Sequence, residues 1–186
     1  GVVKGMYLLK EASEQHSSRA QILASGVAVP WALEAQELLA HDWAVSADVW
    51  SVTSWTELRR DGLRAEEHNF LYPNEPATSA YVTQRLQAAE GPVVGVSDFM
   101  HQVADQIRAF VPGDYATLGA DGFGFSDTRA AARRFFHIDG PSVVVRVLQQ
   151  LAHQGKVDPA LVGHAIEKYQ LHDVTAGTSG TAGGDA

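Results

Sequence analysis

Pro92-Val93-Val94-Gly95-Val96-Ser97 is an unbroken apolar run closed by a hydroxyl. Such a run reads as a strand buried on both faces, the kind found inside parallel sheets with helices above and below. The residues on either side fit that reading. After it come Ser97 and Asp98, which can cap a helix showing Val103, Ile107 and Phe110 on one side. A further strand follows over 115–119, ending in the loop Ala120-Asp121-Gly122-Phe123-Gly124-Phe125. Ser126 is placed to cap the next helix, through Phe135 and Phe136. Upstream, Tyr81, Val82 and Leu86 suggest a short helix after the loop Tyr72-Pro73-Asn74-Glu75-Pro76.

The same alternation extends to both ends. Tyr7–Lys10 and Gln21–Ser25 read as strands joined by a polar turn through 14–18. Gly26 follows the second, and Pro30 opens a helix carrying Leu33, Leu38 and Leu39; a proline suits a helix start because its missing N–H would be unpaired there. Asp48–Val52 is a short β-branched and aromatic strand. Ser54-Trp55-Thr56-Glu57 is a capping-box pattern, and the helix it opens falters near Gly62. Two helices close the fold. One shows Val143, Val144, Val147, Leu148 and Leu151 and stops at Gly155; Asp158-Pro159 opens the other. Residues 175–186 are Gly, Thr, Ser and Ala apart from Asp185, with no periodicity, and read as a disordered tail.

Strands separated by single helices require parallel pairing, since a helix is the usual crossover. The expectation is an α/β fold: one domain over 1–174, a three-layer αβα sandwich with a mostly parallel sheet. The first two strands, close in sequence, are expected to pair as an antiparallel edge.

Composition narrows the function. Of 186 residues 45% are hydrophobic, enough for a real core, because a chain this long buries about 70% of its unfolded surface. Cysteine is absent, which excludes disulfides, thiolate metal sites and a cysteine nucleophile. The net charge of −8 leaves no basic footprint for nucleic acid. Arg59-Arg60 and Arg133-Arg134 read as solvated helix faces. No apolar run is long enough to span a membrane, and the first residues lack signal-peptide layout. A cytoplasmic location is the default expectation. The chain does not begin with Met and opens on strand, which suggests a piece of something longer.

Little catalytic chemistry is legible. The eight histidines include no pair three or four apart on a helix, so a metal site is not expected. No Gly-x-Ser-x-Gly elbow or Walker loop occurs. Gly119, Gly122 and Gly124 read first as a strand-to-helix loop needing positive φ and second as an anion cradle, against which Asp121 and Asp127 count. Ser25-Gly26, before a helix, is the better anion candidate. Glu66-Glu67 faces solvent on a helical pattern. Phe123 and Phe125, set among glycines beside Asp121, need cover. Either the core or another domain or subunit supplies it, and these three residues form the candidate partner contact.

Asp48-Val49-Trp50-Ser51-Val52-Thr53-Ser54-Trp55-Thr56-Glu57-Leu58-Arg59-Arg60-Asp61-Gly62 resembles the last domain of bacterial homodimeric pyruvate dehydrogenase first components. Gly1–Tyr7, Ser97–Met100, Leu118–Gly124 and Ser126–Arg129 agree with that family in order, so the resemblance spans nearly the whole chain before the tail. More distantly, the Ser25-Gly26 opening is similar to the C-terminal domain of transketolases. The resemblance implies an open αβα domain of a thiamine diphosphate enzyme. The parent would decarboxylate pyruvate and pass the acetyl group to a lipoyl arm. It implies as partners the preceding domains, a second subunit of a homodimer, and an acyltransferase with lipoyl domains. The other reading is a non-catalytic module that docks the acyltransferase core or senses a small anion. Family members hold Mg²⁺ and the diphosphate with Gly-Asp-Gly followed later by Asn. Here the nearest match is Ala120-Asp121-Gly122, and both asparagines, Asn69 and Asn74, lie upstream. No catalytic residue, cofactor or metal is therefore expected on this chain.

Overall fold

The computed structural model describes residues 1–13 and 15–177. Five strands form one sheet in the order β1-β3-β2-β4-β5: β1 (Met6–Lys10), β2 (Ser18–Ala24), β3 (Val45–Val52), β4 (Val93–Val96) and β5 (Tyr115–Leu118). All neighbouring pairs are parallel except β1 with β3. The antiparallel edge thus exists, but β1 lies against β3 and not against β2 as expected from sequence proximity. The reason is burial: β2 is almost wholly apolar and inaccessible from Ala20 to Ala24 and takes the centre, whereas β1 runs out to exposed Leu9 and Lys10.

Strand alternation divides the core in two. Ile22, Ala24, Ala47, Val49, Val94 and Val96 face one side, where they pack with α1 (Val29–Trp43), α6 (Gly140–His153) and α7 (Ala160–Lys168). Leu23, Trp50, Val52 and Val93 face the other, covered by α2 (Trp55–Leu71), α3 (Tyr81–Leu86) and α4 (His101–Asp105). α5 (Arg129–Phe135) follows the loop after β5. The α7 end is tied to α1 by Trp43 Nε1 donating to Tyr169 Oη (2.8 Å) and by Tyr169 donating to Asp42 (2.8 Å). Burial pushes the Asp42 carboxyl up, but bonds from Lys168, His41 and Tyr169 outweigh it and hold the pKa at about 2.

Several local expectations are corrected. Ser54 Oγ accepts from Glu57 N at 3.1 Å, yet the reciprocal half of the box is not made: Ser54 N donates to Gly5 O, and Glu57 pairs with Arg60. α2 does not falter at Gly62. The glycine is there for a close approach, since a Cβ would lie 2.5 Å from the Phe110 ring. Neither Ser97 nor Asp98 caps α4; Ser97 Oγ accepts from Phe99 N, and α4 begins after Met100. α5 is capped by Thr128 rather than Ser126. Arg134, read as solvated, has a side chain only 1% exposed, while Arg59 and Arg60 are exposed. Val174–Ala176 form a 3-10 turn, and the remainder of the expected tail, 178–186, lies outside the described residues. No helix among the described residues is long and apolar enough to cross a membrane.

Candidate functional site

The carboxyl ends of β2, β4 and β5 point to one edge of the molecule, where open parallel sheets place their crevices. At β2, Ser25 is buried and its Oγ accepts from Trp55 Nε1 at 3.0 Å. Gly26 has φ +55, and a Cβ there would lie 3.9 Å from Asp98 Oδ1. The Ser25–Gly26 candidate therefore has its hydroxyl engaged by an indole and a carboxylate beside it, both poor provisions for an anion.

At β5, Gly119 permits a close crossing: a Cβ would sit 2.5 Å from His101 N. Of the three glycines in this loop only Gly122 has a positive φ, +97. Asp121 binds the neighbouring element with both oxygens. Oδ1 accepts from His101 N (2.9 Å), and Oδ2 lies 2.7 Å from His101 Nδ1. It ties the loop to the start of α4.

The two loop phenylalanines part company. Phe123 is 97% exposed and touches neither apolar cluster. Phe125 is half-buried and stacks on Phe135, with centroids 4.4 Å apart and planes at 8°. The core reading thus fails for Phe123. Phe99 and Met100, after β4, and Val27, after β2, are also at least half exposed. Sequence reasoning missed these, although they sit at the strand ends that the topology brings together. Between α1, α5 and these loops lies an open crevice of about 590 Å³, reached by Val27, Trp31, Asp98, Arg129 and Phe136.

The residues that a thiamine diphosphate site would draw on do not fit one. Asp121 is held by His101. Asn69 accepts from Thr78 N and donates to Thr78 O, at the far end of α2. No group of three or more His, Asp or Glu among the described residues could hold a metal ion.

The fold is thus an open αβα domain with its crevice at the strand ends. The chain belongs to the family described as the transketolase-like TK C-terminal domain, which it matches over residues 5–139. It is 56% identical over 94% of its length to the pyruvate dehydrogenase E1 component of Mycolicibacterium smegmatis, and 54% over 95% to that of Mycobacterium tuberculosis. The Escherichia coli K12 protein of the same name is 42% identical over 92% of the chain. In each case the chain spans only 19% of the relative's length. Among solved structures, transketolase from Campylobacter jejuni superposes with TM-score 0.53 at 21% identity, covering 80% of this chain and 19% of that one. Transketolase from Leishmania mexicana gives 0.52 at 21%, covering 82% and 19%. At that identity these two establish the fold alone.

Proposed function

We propose that this chain works as the C-terminal domain of a pyruvate dehydrogenase first component, non-catalytic by itself. The observation that carries the reading is the 56% identity over nearly the whole chain to such an enzyme. The site geometry supports the non-catalytic part: Ser25, Asp121 and Asn69 are all committed to internal hydrogen bonds. In the whole enzyme, other parts of the polypeptide would hold thiamine diphosphate and Mg²⁺, decarboxylate pyruvate and deliver the acetyl group to the lipoyl arm of an acyltransferase. This domain would shape the approach to that centre and contribute to a cytoplasmic homodimer. Its contact surface is the strand-end edge, where Phe99, Met100 and Phe123 stand out of the domain uncovered. Exposed apolar side chains gathered on one edge mark a surface made for contact. The same edge favours, as a second reading, direct docking of the acyltransferase core.

The test is a chimaera in which this chain replaces the matching segment of the M. smegmatis enzyme. Retained dimer and retained pyruvate decarboxylation are expected, with no cofactor binding by the chain alone in calorimetry. Micromolar, Mg²⁺-dependent thiamine diphosphate binding by the chain alone would overturn the assignment. A chimaera that stays dimeric and active but loses the acyltransferase selects the docking reading.

A further inference from the structure

A second cavity lies between the end of β5 at Leu118, α6 and the end of α7. It is partly open and holds about 220 Å³. Leu118, Val145, Ile166 and Leu171 give it apolar walls, and Arg146 reaches into it from α6. Arg146 Nε is buried and has no hydrogen-bond partner among the described residues. Its guanidinium makes no described ion pair either, although the chain carries a net charge of −8 and most of its other arginines have found acceptors.

A guanidinium offers five N–H donors and accepts none, so an Nε–H buried without an acceptor carries a desolvation cost. Burial also holds the Arg146 pKa below the ordinary arginine value. Four more side chains able to donate, His137, Ser142, Gln149 and His172, line the same cavity, and no described Asp or Glu does. The acids nearest in sequence are already engaged. Asp139 accepts from Arg134 and Ser142, and Asp173 accepts from Thr175. His137 is held at φ +54, a left-handed conformation that few non-glycine residues adopt.

A cation with an unpartnered N–H beside apolar walls defines the complement of a specific molecule. We propose that this cavity binds a small organic carboxylate, its carboxyl group on Arg146 and Gln149 and its short apolar body against Val145, Ile166 and Leu171. Planar carboxylate matches the guanidinium fork with two parallel bonds. The apolar walls are what separate this ligand from inorganic phosphate, which would leave them wetted. Its lining shares no residue with the exposed apolar contacts Val27, Phe99, Met100 and Phe123.

The experiment uses the full 186-residue chain. Butyrate, acetate, inorganic phosphate and chloride are titrated at constant ionic strength, with binding followed by NMR shifts of the Val145 and Ile166 methyl groups and by the thermal midpoint. Butyrate is expected to saturate and to bind more tightly than acetate, with chloride producing no saturable shift. Arg146→Gln should weaken butyrate at least roughly tenfold, the loss of one charge-assisted hydrogen bond. Gln149→Leu, which adds no charge and keeps the volume, should weaken it several-fold and serves if the arginine variant fails to fold. No saturable carboxylate binding, phosphate binding more tightly than butyrate, or affinity unchanged in both variants would each overturn the proposal.

Discussion

Arg134 and Arg146 stand on successive helices, α5 and α6, and show what one side chain does in two surroundings. Arg134 is fully enclosed. Its Nε donates to Asp139 Oδ2 (2.7 Å), and one terminal nitrogen donates to the carbonyls of Tyr169 (2.8 Å) and Gln170 (3.1 Å). Those carbonyls close the end of α7, so the cation serves as both ion-pair partner and helix-end cap. Asp139 in turn caps α6 by accepting from Ser142 N. One buried ion pair therefore joins α5, α6 and α7. Arg146 is half-buried and lacks any such set. The first environment is complete within the chain; the second calls for an acceptor from outside.

The sharpest way to break this comparison is to remove each cation in turn. Arg134→Met leaves Asp139 buried without its partner and frees two carbonyls, and should cost about 3–5 kcal/mol in chemical denaturation. Arg146→Gln, which abandons no buried carboxylate, should cost far less. Equal losses for the two variants would show that Arg146 is also a structural clamp, and the contrast would collapse.

The sequence could not reveal this difference. Arg133 and Arg134 sit in the run Arg129-Ala130-Ala131-Ala132-Arg133-Arg134, where the apolar stripe is alanine and names no buried face. What buries Arg134 comes from far along the chain, at Tyr169–Gln170 and at residues 174–177 lying on α5; a Cβ on Gly177 would be 2.5 Å from Ala130 O. By contrast, β4 and its neighbours were legible because Val93–Val96 carries its burial in its own composition. The partner of β1 was not, since pairing is decided by which strand takes the sheet centre. At the candidate site, the glycine loop and its phenylalanines were visible, but the commitment of Asp121 to His101 depends on β4 and β5 lying side by side.

A milder test concerns helix starts, where the chain again contains complete and incomplete arrangements. Thr128 and Ser54 both accept from the amide three residues on, at 3.2 and 3.1 Å. Ser54→Ala removes that acceptor and should lower stability by about 1 kcal/mol. Glu57→Gln should do little, because its carboxylate is turned to Arg60 on the exposed face and not back to Ser54. A large loss for Glu57→Gln would mean that the reciprocal bond forms in solution.

The smallest expected effect on stability lies at Phe123, and there the comparison turns from inside to outside. Phe125 has a stacked partner in Phe135, which in turn meets Phe136 edge-on at 5.0 Å, so its loss should cost about 0.5–1.5 kcal/mol. Phe123 has no such contact, and Phe123→Ser should shift the denaturation midpoint by no more than about 0.5 kcal/mol. If the strand-end edge is a contact surface, the same substitution should nevertheless weaken assembly of the chimaeric enzyme, read as a raised dimer dissociation constant in analytical ultracentrifugation. The two phenylalanines then report different things: Phe125 the integrity of the loop, Phe123 the partner. A Phe123→Ser chimaera that assembles and turns over as well as its parent would remove Phe123 from the interface and leave Phe99 and Met100 as the remaining apolar contacts to test.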